Sequence, residues 1–211
     1  MERQTPSTRR QILDLLKKRG GMTAKELGDA LGITSMAVRR HLAALERDDL
    51  ISAATVRRPM GRPTYVYSLT ALADDLFPKN YPQLAIGLLD DIRALDGEEK
   101  IDLLFKRRED RLFAAYSPRM EGKDLEARVI ELSRIMDENG YLSNYARVDS
   151  AFRLTWHNCA IYKIAQRCPQ ACAHELSMVG RLLDADVVRD SHSVKGDPSC
   201  SYLVRPRQAV P

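Results

Sequence analysis

Apolar residues in the first 50 positions recur every three or four residues in three separate runs. This period predicts a helix over residues 7–19 capped by Ser7, a short helix after Thr23, and a third helix over 35–47. The inward positions of the third helix share that period: Val38, Leu42 and Leu45. Gly32 separates the second helix from the third, so the two are expected to form a helix-turn-helix.

The pattern changes to alternation over residues 51–69, which predicts a β-hairpin. Its two strands flank the loop RRPMGRPT, which is rich in Pro, Gly and Arg. Such a loop is typical of a wing, and its arginines Arg57, Arg58 and Arg62 are expected to contact the DNA backbone or the minor groove.

The third helix is expected to read DNA, because its apolar positions are already used for the core. The residues directed outward are Ser35, Met36, Arg39 and Arg40. Residues 1–67 carry 13 Lys and Arg against 7 Asp and Glu, whereas residues 68–211 carry 20 against 22. The positive charge is therefore concentrated on the N-terminal part, as binding to phosphates requires. An ordinary solvated basic surface is the alternative.

The segment TAKELGDALGITSMAVRRHLAALERDDLI, followed by GRPTYVYSLT, resembles the winged helix-turn-helix of DeoR/ArsR-like bacterial regulators. The resemblance implies that residues 1–76 form a winged helix-turn-helix domain that binds double-stranded operator DNA. One winged helix reads few base pairs, so we expect a homodimer.

The segment FPKNYP at residues 77–82 separates the first domain from the rest. Residues 83–140 are helical in pattern, and residues 77–139 are expected to form a helical linker and dimerisation region, although packing within one chain explains the same periodicity. Residues 140–211 alternate between strand and helix patterns, which predicts a small α+β domain. The expected fold class is therefore α+β.

Composition indicates a cytoplasmic protein. No apolar run approaches the ~18 residues of a membrane span, and the N-terminus lacks the apolar stretch of a secretory signal. Disulfides are disfavoured in the cytosol, so a metal, a cluster or buried free thiols are the expected states of the cysteines.

All four cysteines lie in the last 53 residues: Cys159, Cys168, Cys172 and Cys200. Spacing alone leaves three interpretations open, namely a metal or cluster site, buried structural thiols, and a thiol redox switch. Cys168 and Cys172 are four residues apart and are expected to share one helix face. Paired CxxC motifs are missing from the sequence, so zinc is a weaker interpretation than a cluster.

The segment HNCAIYKIAQRCPQAC, together with ELSMVGRLLDADVVRDSHSVKGDPSCSYLV, resembles the C-terminal domain of the SufR family. These are iron–sulfur-sensing repressors of the SUF cluster-assembly operon. The match includes the C-x12-C and C-x27-C steps and the G-D-x-x-C ending at Cys200.

The SufR resemblance implies that Cys159, Cys172 and Cys200 bind an iron–sulfur cluster whose loss releases DNA. We expect [4Fe–4S] rather than [2Fe–2S]. The fourth ligand stays open, with Cys168 as one candidate. Less favoured candidates are non-cysteine side chains: His157, His174, His192, Glu175, Asp186 and Asp197.

An enzyme is not expected, since the sequence has no nucleophile elbow, Walker loop or HExxH motif. A winged-helix repressor that senses zinc, thiol oxidation or a small molecule is the alternative function.

Overall fold

The computed structural model describes residues 6–56 and 63–207. It divides into two compact units, Met1–Lys79 and Asn80–Pro211. The sequence favoured three segments, but the central helices and the C-terminal strands lie in one unit. Periodicity cannot make this distinction, because a helix has the same pattern whether it packs within its own domain or at an interface.

The N-terminal unit begins with three helices in the predicted places: α1 (Thr8–Arg19), α2 (Ala24–Leu31) and α3 (Ser35–Arg47). Short side chains cap them, because their oxygens accept the free amides of the first turn. Ser7 accepts from the Arg10 amide at 3.3 Å, and Thr34 accepts from the Ala37 amide at 3.2 Å. Thr34 is therefore the cap of α3.

A three-stranded sheet completes this unit, in the order β1-β3-β2. The strands are β1 (Met22–Thr23), β2 (Ile51–Val56) and β3 (Thr64–Leu69), followed by the short helix α4 (Ala71–Asp74). β2 and β3 pair antiparallel, as the alternating pattern predicted. The core lies between α1, α2, α3 and this sheet; its most buried members are Ile12, Leu27, Val38 and Leu42. This is the predicted winged helix-turn-helix.

The C-terminal unit has five helices among the described residues: α5 (Tyr81–Asp96), α6 (Glu98–Tyr116), α7 (Leu125–Glu138), α8 (Tyr162–Arg167) and α9 (Pro169–Leu183). Its antiparallel sheet has the order β4-β5-β7-β6. The strands are β4 (Ser143–Val148), β5 (Ala151–Trp156), β6 (Ala185–Ser191) and β7 (Cys200–Pro206). The α+β fold class is confirmed.

The C-terminal core lies between one face of the sheet and the helices α7 and α9. Trp156 is 2% exposed and lies between Tyr141 and Tyr202, with ring centroids 5.0 and 4.6 Å away. Trp156 pairs with Cys200 across β5 and β7, so their side chains are on the same face of the sheet. Cys200 is thereby directed toward the helices.

A second, smaller apolar cluster lies at the start of α9. It joins Ile101 and Phe105 of α6 to Cys168 and Ala171. No helix in the part of the chain that the structure describes is long and apolar enough to span a membrane.

Candidate functional site

The outer face of α3 has the geometry of a DNA-reading surface. Val38, Leu42 and Leu45 are buried in the core, which leaves the opposite side of the helix in solvent. The exposed residues there are the four that the sequence predicted, Ser35, Met36, Arg39 and Arg40. We call these four residues the reading face.

The approach of α2 to the turn before α3 requires a glycine. A Cβ atom at Gly28 would lie 2.8 Å from the backbone oxygen of Ile33, closer than real contacts allow. The Ile33 amide also donates to the Gly28 carbonyl at 3.1 Å. This contact fixes the angle at which the reading face is presented.

A cavity of about 550 Å³ lies between α3 and β3. Ser35 and Arg39 line one side of it, Lys25 of α2 lies at its edge, and Tyr65 of β3 is 58% exposed. The sequence analysis missed Lys25 and Tyr65. A lysine in the first turn of a helix opposes the helix dipole, and that was the available signal for Lys25. Arg57, Arg58 and Arg62 lie outside the described residues.

Three of the four cysteines belong to one site, which we call the thiol pocket: Cys159, Cys172 and Cys200. They come from three elements, namely the loop before α8, the first turns of α9, and the start of β7. Cys172 and Cys200 are each 7% exposed. The pKa of Cys159 is raised to about 11, mainly by burial, with smaller contributions from the charges of Glu175, Cys200 and Cys172. These groups are therefore close enough to affect one another's ionisation.

Hydrogen bonds to sulfur surround the thiol pocket. The Ile161 amide lowers the pKa of the Cys159 thiol, against the larger effect of burial. The Ser193 amide donates to Cys200 Sγ at 3.4 Å, and Ser193 Oγ lies 2.9 Å from the same sulfur. Amide donors stabilise sulfur when it carries negative charge, so these contacts suit bound thiolates.

The loop between β6 and β7 explains the GDPSC motif in structural terms. Asp197 Oδ2 accepts the His192 amide at 2.6 Å, which closes the loop on itself. Gly196 has φ of 105°, a conformation that side chains rarely adopt. The loop thereby holds His192, Ser193 and Cys200 together.

Cys168 has a different environment. It is the N-cap of α9, with extended backbone angles of φ −127° and ψ 90°. The sequence predicted that Cys168 and Cys172 share one helix face. That prediction is wrong, because Cys168 precedes the first turn of α9 and its backbone is extended. The Cys168 thiol is fully buried in the smaller apolar cluster, and Arg93 donates to its sulfur at 3.4 Å.

The other candidate ligands fall into two groups, those whose partners lie outside the thiol pocket and those that adjoin its thiols. His157 contacts Asn144, and His174 lies between Glu109 and Asp102. Asp186 is exposed on β6, paired in register with Arg205. Two candidates adjoin the thiols: Glu175, whose charge raises the pKa of Cys172, and His192, whose Nε2 lies 3.3 Å from Cys172 Sγ.

Within residues 6–56 and 63–207, no three His, Cys, Asp or Glu side chains are close enough to hold a single metal ion. Burial is the main cause of the raised pKa of both Cys159 and Cys172, so at neutral pH these thiols are protonated. Metal binding would therefore release protons.

Comparison with known families identifies the N-terminal unit. Residues 6–52 match a family model described as winged helix-turn-helix DNA-binding. This range contains α1, α2 and α3 and the start of β2. The chain therefore carries a winged helix-turn-helix DNA-binding domain. No curated protein matches the chain significantly.

Several solved regulators resemble parts of the chain at low identity. The adhesin competence repressor AdcR from Streptococcus pyogenes is 20% identical over 56% of this chain and 84% of that chain, with a TM-score of 0.31. The zinc-responsive MarR family member ZitR from Lactococcus lactis is 19% identical over 66% and 78%, with a TM-score of 0.30. PadR from Bacillus subtilis, in complex with operator DNA, is 17% identical over 64% and 94%, with a TM-score of 0.29. Because these scores are low, the assignment of DNA binding depends on the family match.

Proposed function

We propose that this protein is a dimeric transcriptional regulator whose binding to operator DNA is controlled by an iron–sulfur cluster in the thiol pocket. The observation that carries the proposal is the convergence of Cys159, Cys172 and Cys200 from three distant parts of the sequence. Zinc sensing, thiol oxidation and a small-molecule ligand are the alternatives.

The donor set fits an iron–sulfur cluster. Thiolates are the usual ligands of such clusters, and hydrogen bonds to sulfur tune their potentials. Here the amide and the hydroxyl of Ser193 contact Cys200 Sγ, and Arg189 donates to the Cys172 carbonyl at 2.6 Å. The positive charge of Arg189 also suits an anionic group. A bound cluster would supply a group that is lost or altered by oxygen and iron shortage.

Cluster binding is expected to order the fold around the pocket. The three thiols lie on a loop, a helix and a strand, so holding them at one group restrains all three elements together. If this restraint alters the spacing of the two reading faces in a dimer, operator affinity changes. A coupling free energy of ~1–3 kcal/mol is typical of such regulation.

The dimer surface is proposed to be the outer side of α5. On its inner side, Leu89 and Ile92 pack against the cluster of Ile101 and Phe105. On its outer side, large apolar side chains remain 55–84% exposed: Tyr81, Leu84, Leu88 and Leu95. Because α5 is apolar on both sides, we expect a second surface to cover its outer side as well.

The spacing of the exposed side chains favours a second copy of the same helix as the cover. With Asp91, they form a stripe at alternating steps of three and four residues, which is the seam of a two-stranded coiled coil: Tyr81, Leu84, Leu88, Asp91 and Leu95. We call this set the α5 stripe. An antiparallel pair with Leu88 at the two-fold axis puts Tyr81 opposite Leu95 and separates the two Asp91 carboxylates. A parallel pair would bring those like charges together.

The test of cluster control has two parts. The full chain is purified without oxygen, and its iron, sulfide, zinc and visible spectrum are measured. Binding to double-stranded fragments from the promoter region of cluster-assembly genes is then compared for the cluster-loaded and cluster-free forms. We expect iron and sulfide in equal amounts and a difference of at least fivefold in affinity.

Each outcome of this test has a definite meaning. About one zinc per chain without sulfide would replace the proposal with zinc sensing. No metal would favour a thiol switch or a small-molecule ligand. Equal DNA affinity of the two forms would refute control by the cluster even if a cluster is bound.

A further inference from the structure

The thiol pocket provides three cysteines, whereas iron–sulfur clusters are commonly held by four protein ligands. The fourth cysteine is a poor candidate. Cys168 is fully buried among Ile101, Phe105 and Ala171, and its sulfur accepts a hydrogen bond from Arg93. The fourth ligand of the cluster must therefore come from the side chains that adjoin the three thiols.

His192 lies within the pocket. Its Nε2 is 3.3 Å from Cys172 Sγ, although the two residues are 20 positions apart in the sequence. The next residue, Ser193, contacts Cys200 Sγ through both its amide and its hydroxyl. His192 thus connects the thiol on α9 with the thiol at the start of β7.

The loop holds the backbone of His192 in a defined position. The His192 amide donates to Asp197 at 2.6 Å, and the His192 carbonyl accepts from the Lys195 amide at 2.8 Å. Ligand positions in metal sites are commonly fixed by such surrounding hydrogen bonds.

The separation of the two atoms matches that of two ligands on one metal. For metal–sulfur and metal–nitrogen bonds of about 2.3 and 2.05 Å at a tetrahedral centre, the sulfur and nitrogen are about 3.5 Å apart. In a [2Fe–2S] cluster each iron takes two protein ligands, while in a [4Fe–4S] cluster each iron takes one. In this structure the 3.3 Å separation is a hydrogen bond between the imidazole and the thiol. If both atoms bind one iron, the cluster is [2Fe–2S] rather than the [4Fe–4S] form expected from the sequence.

Glu175 is the competing group, and its chemistry is less suitable. Its Oε1 already accepts the Tyr141 hydroxyl at 2.7 Å, and the residue is only 6% exposed. Carboxylates are hard ligands that suit magnesium, calcium and manganese, whereas imidazole suits iron.

We propose that His192 Nε2 is the fourth ligand of a [2Fe–2S] cluster, beside Cys172 and together with Cys159 and Cys200. This inference rests on the proposed function, since it requires a cluster in the thiol pocket. Imidazole in place of thiolate raises the reduction potential of such clusters.

The experiment uses the full chain reconstituted with ferrous iron and sulfide without oxygen. The reduced cluster is examined by pulsed electron paramagnetic resonance for coupling to nitrogen, and its reduction potential is measured. Three variants are compared with the wild type: His192→Ala, His192→Cys and His157→Ala. His157 is the matched control, because it is two residues from Cys159 while its ring contacts Asn144.

We expect two iron and two sulfide per chain, with strong nitrogen coupling in the wild type and in His157→Ala. His192→Ala should lose the coupling, and His192→Cys should keep the cluster at a lower potential. If His192→Ala fails to fold, His192→Cys still tests the ligand assignment. A cluster without nitrogen coupling, or coupling that persists in His192→Ala, would overturn the ligand assignment alone. Four iron per chain would overturn the [2Fe–2S] form, and failure to take up iron and sulfide would overturn both proposals.

Discussion

Truncation of the central residue of the α5 stripe gives a quantitative test of the dimer surface. Complete burial of a leucine side chain contributes ~1.5–3 kcal/mol, and 55% of Leu88 is still exposed. Covering that remainder therefore contributes about 1 kcal/mol per copy. A symmetric interface contains the residue twice, so Leu88→Ala removes about 2 kcal/mol from the dimer. The dimer Kd should rise about 30-fold.

Sedimentation equilibrium of the full chain over a wide concentration range measures this Kd. Leu103→Ala is the matched control, because Leu103 is 51% exposed on α6 and does not belong to the stripe. The control should leave the Kd unchanged, and both variants should keep the wild-type circular dichroism spectrum. A wild-type chain that stays monomeric, or equal effects of the two substitutions, would refute the α5 stripe as the dimer surface.

Three further predictions concern other parts of the chain. Arg39→Ala should weaken operator binding by about 5- to 150-fold in fluorescence anisotropy, from loss of ~1–3 kcal/mol of base readout, while Arg19→Ala at the end of α1 should change it little; equal losses would contradict the role of the reading face. Burial raises the pKa of Glu109, but Arg181, other donors and their charges outweigh burial and hold it at about 2. Ionised Glu109 therefore contributes about 3 kcal/mol to the free energy of unfolding above pH 4.5, and this contribution is lost as the pH falls toward 2. Glu109→Gln should make the melting temperature less dependent on pH in this range; the same pH dependence in the variant and the wild type would refute this. Cys168→Ser should retain iron uptake but lower stability by ~1–3 kcal/mol, because a hydroxyl replaces a thiol in an apolar cluster; loss of iron would make Cys168 a ligand.

The N-terminal unit could be predicted from sequence because its signals are local. The capping residues, the Gly32 break and the period of Val38, Leu42 and Leu45 all act within a few residues. The predicted bounds of α3, 35–47, agree with the structure. Local propensity, capping and apolar period all favour the same structure here.

The thiol pocket was predicted less completely, since it depends on contacts between distant residues. Helical spacing failed at Cys168, because the helix begins at Pro169 and the preceding residue is extended. The approach of His192 to Cys172 depends on the end of β6, where the pairing with β7 shifts register between Arg189 and Ser191. Such irregularities redirect side chains, and nothing in the spacing of single residues indicates them.

The helix α8 connects the thiol pocket to the α5 helix, and this gives the proposed regulation a physical route. The Ile161 amide, just before α8, lowers the pKa of the Cys159 thiol. At the other end, Arg167 donates to Asp90 of α5 at 3.1 Å. A group bound at Cys159 and a second copy bound at α5 therefore act on the same short helix. Because coupling is reciprocal and a dimer holds two clusters, the factor by which loading both protomers changes the dimer Kd equals the square of the factor by which dimerisation changes the affinity for each cluster. Arg167→Ala should bring the factor on the dimer Kd closer to one; a factor equal to that of the wild type would exclude α8 as the connection.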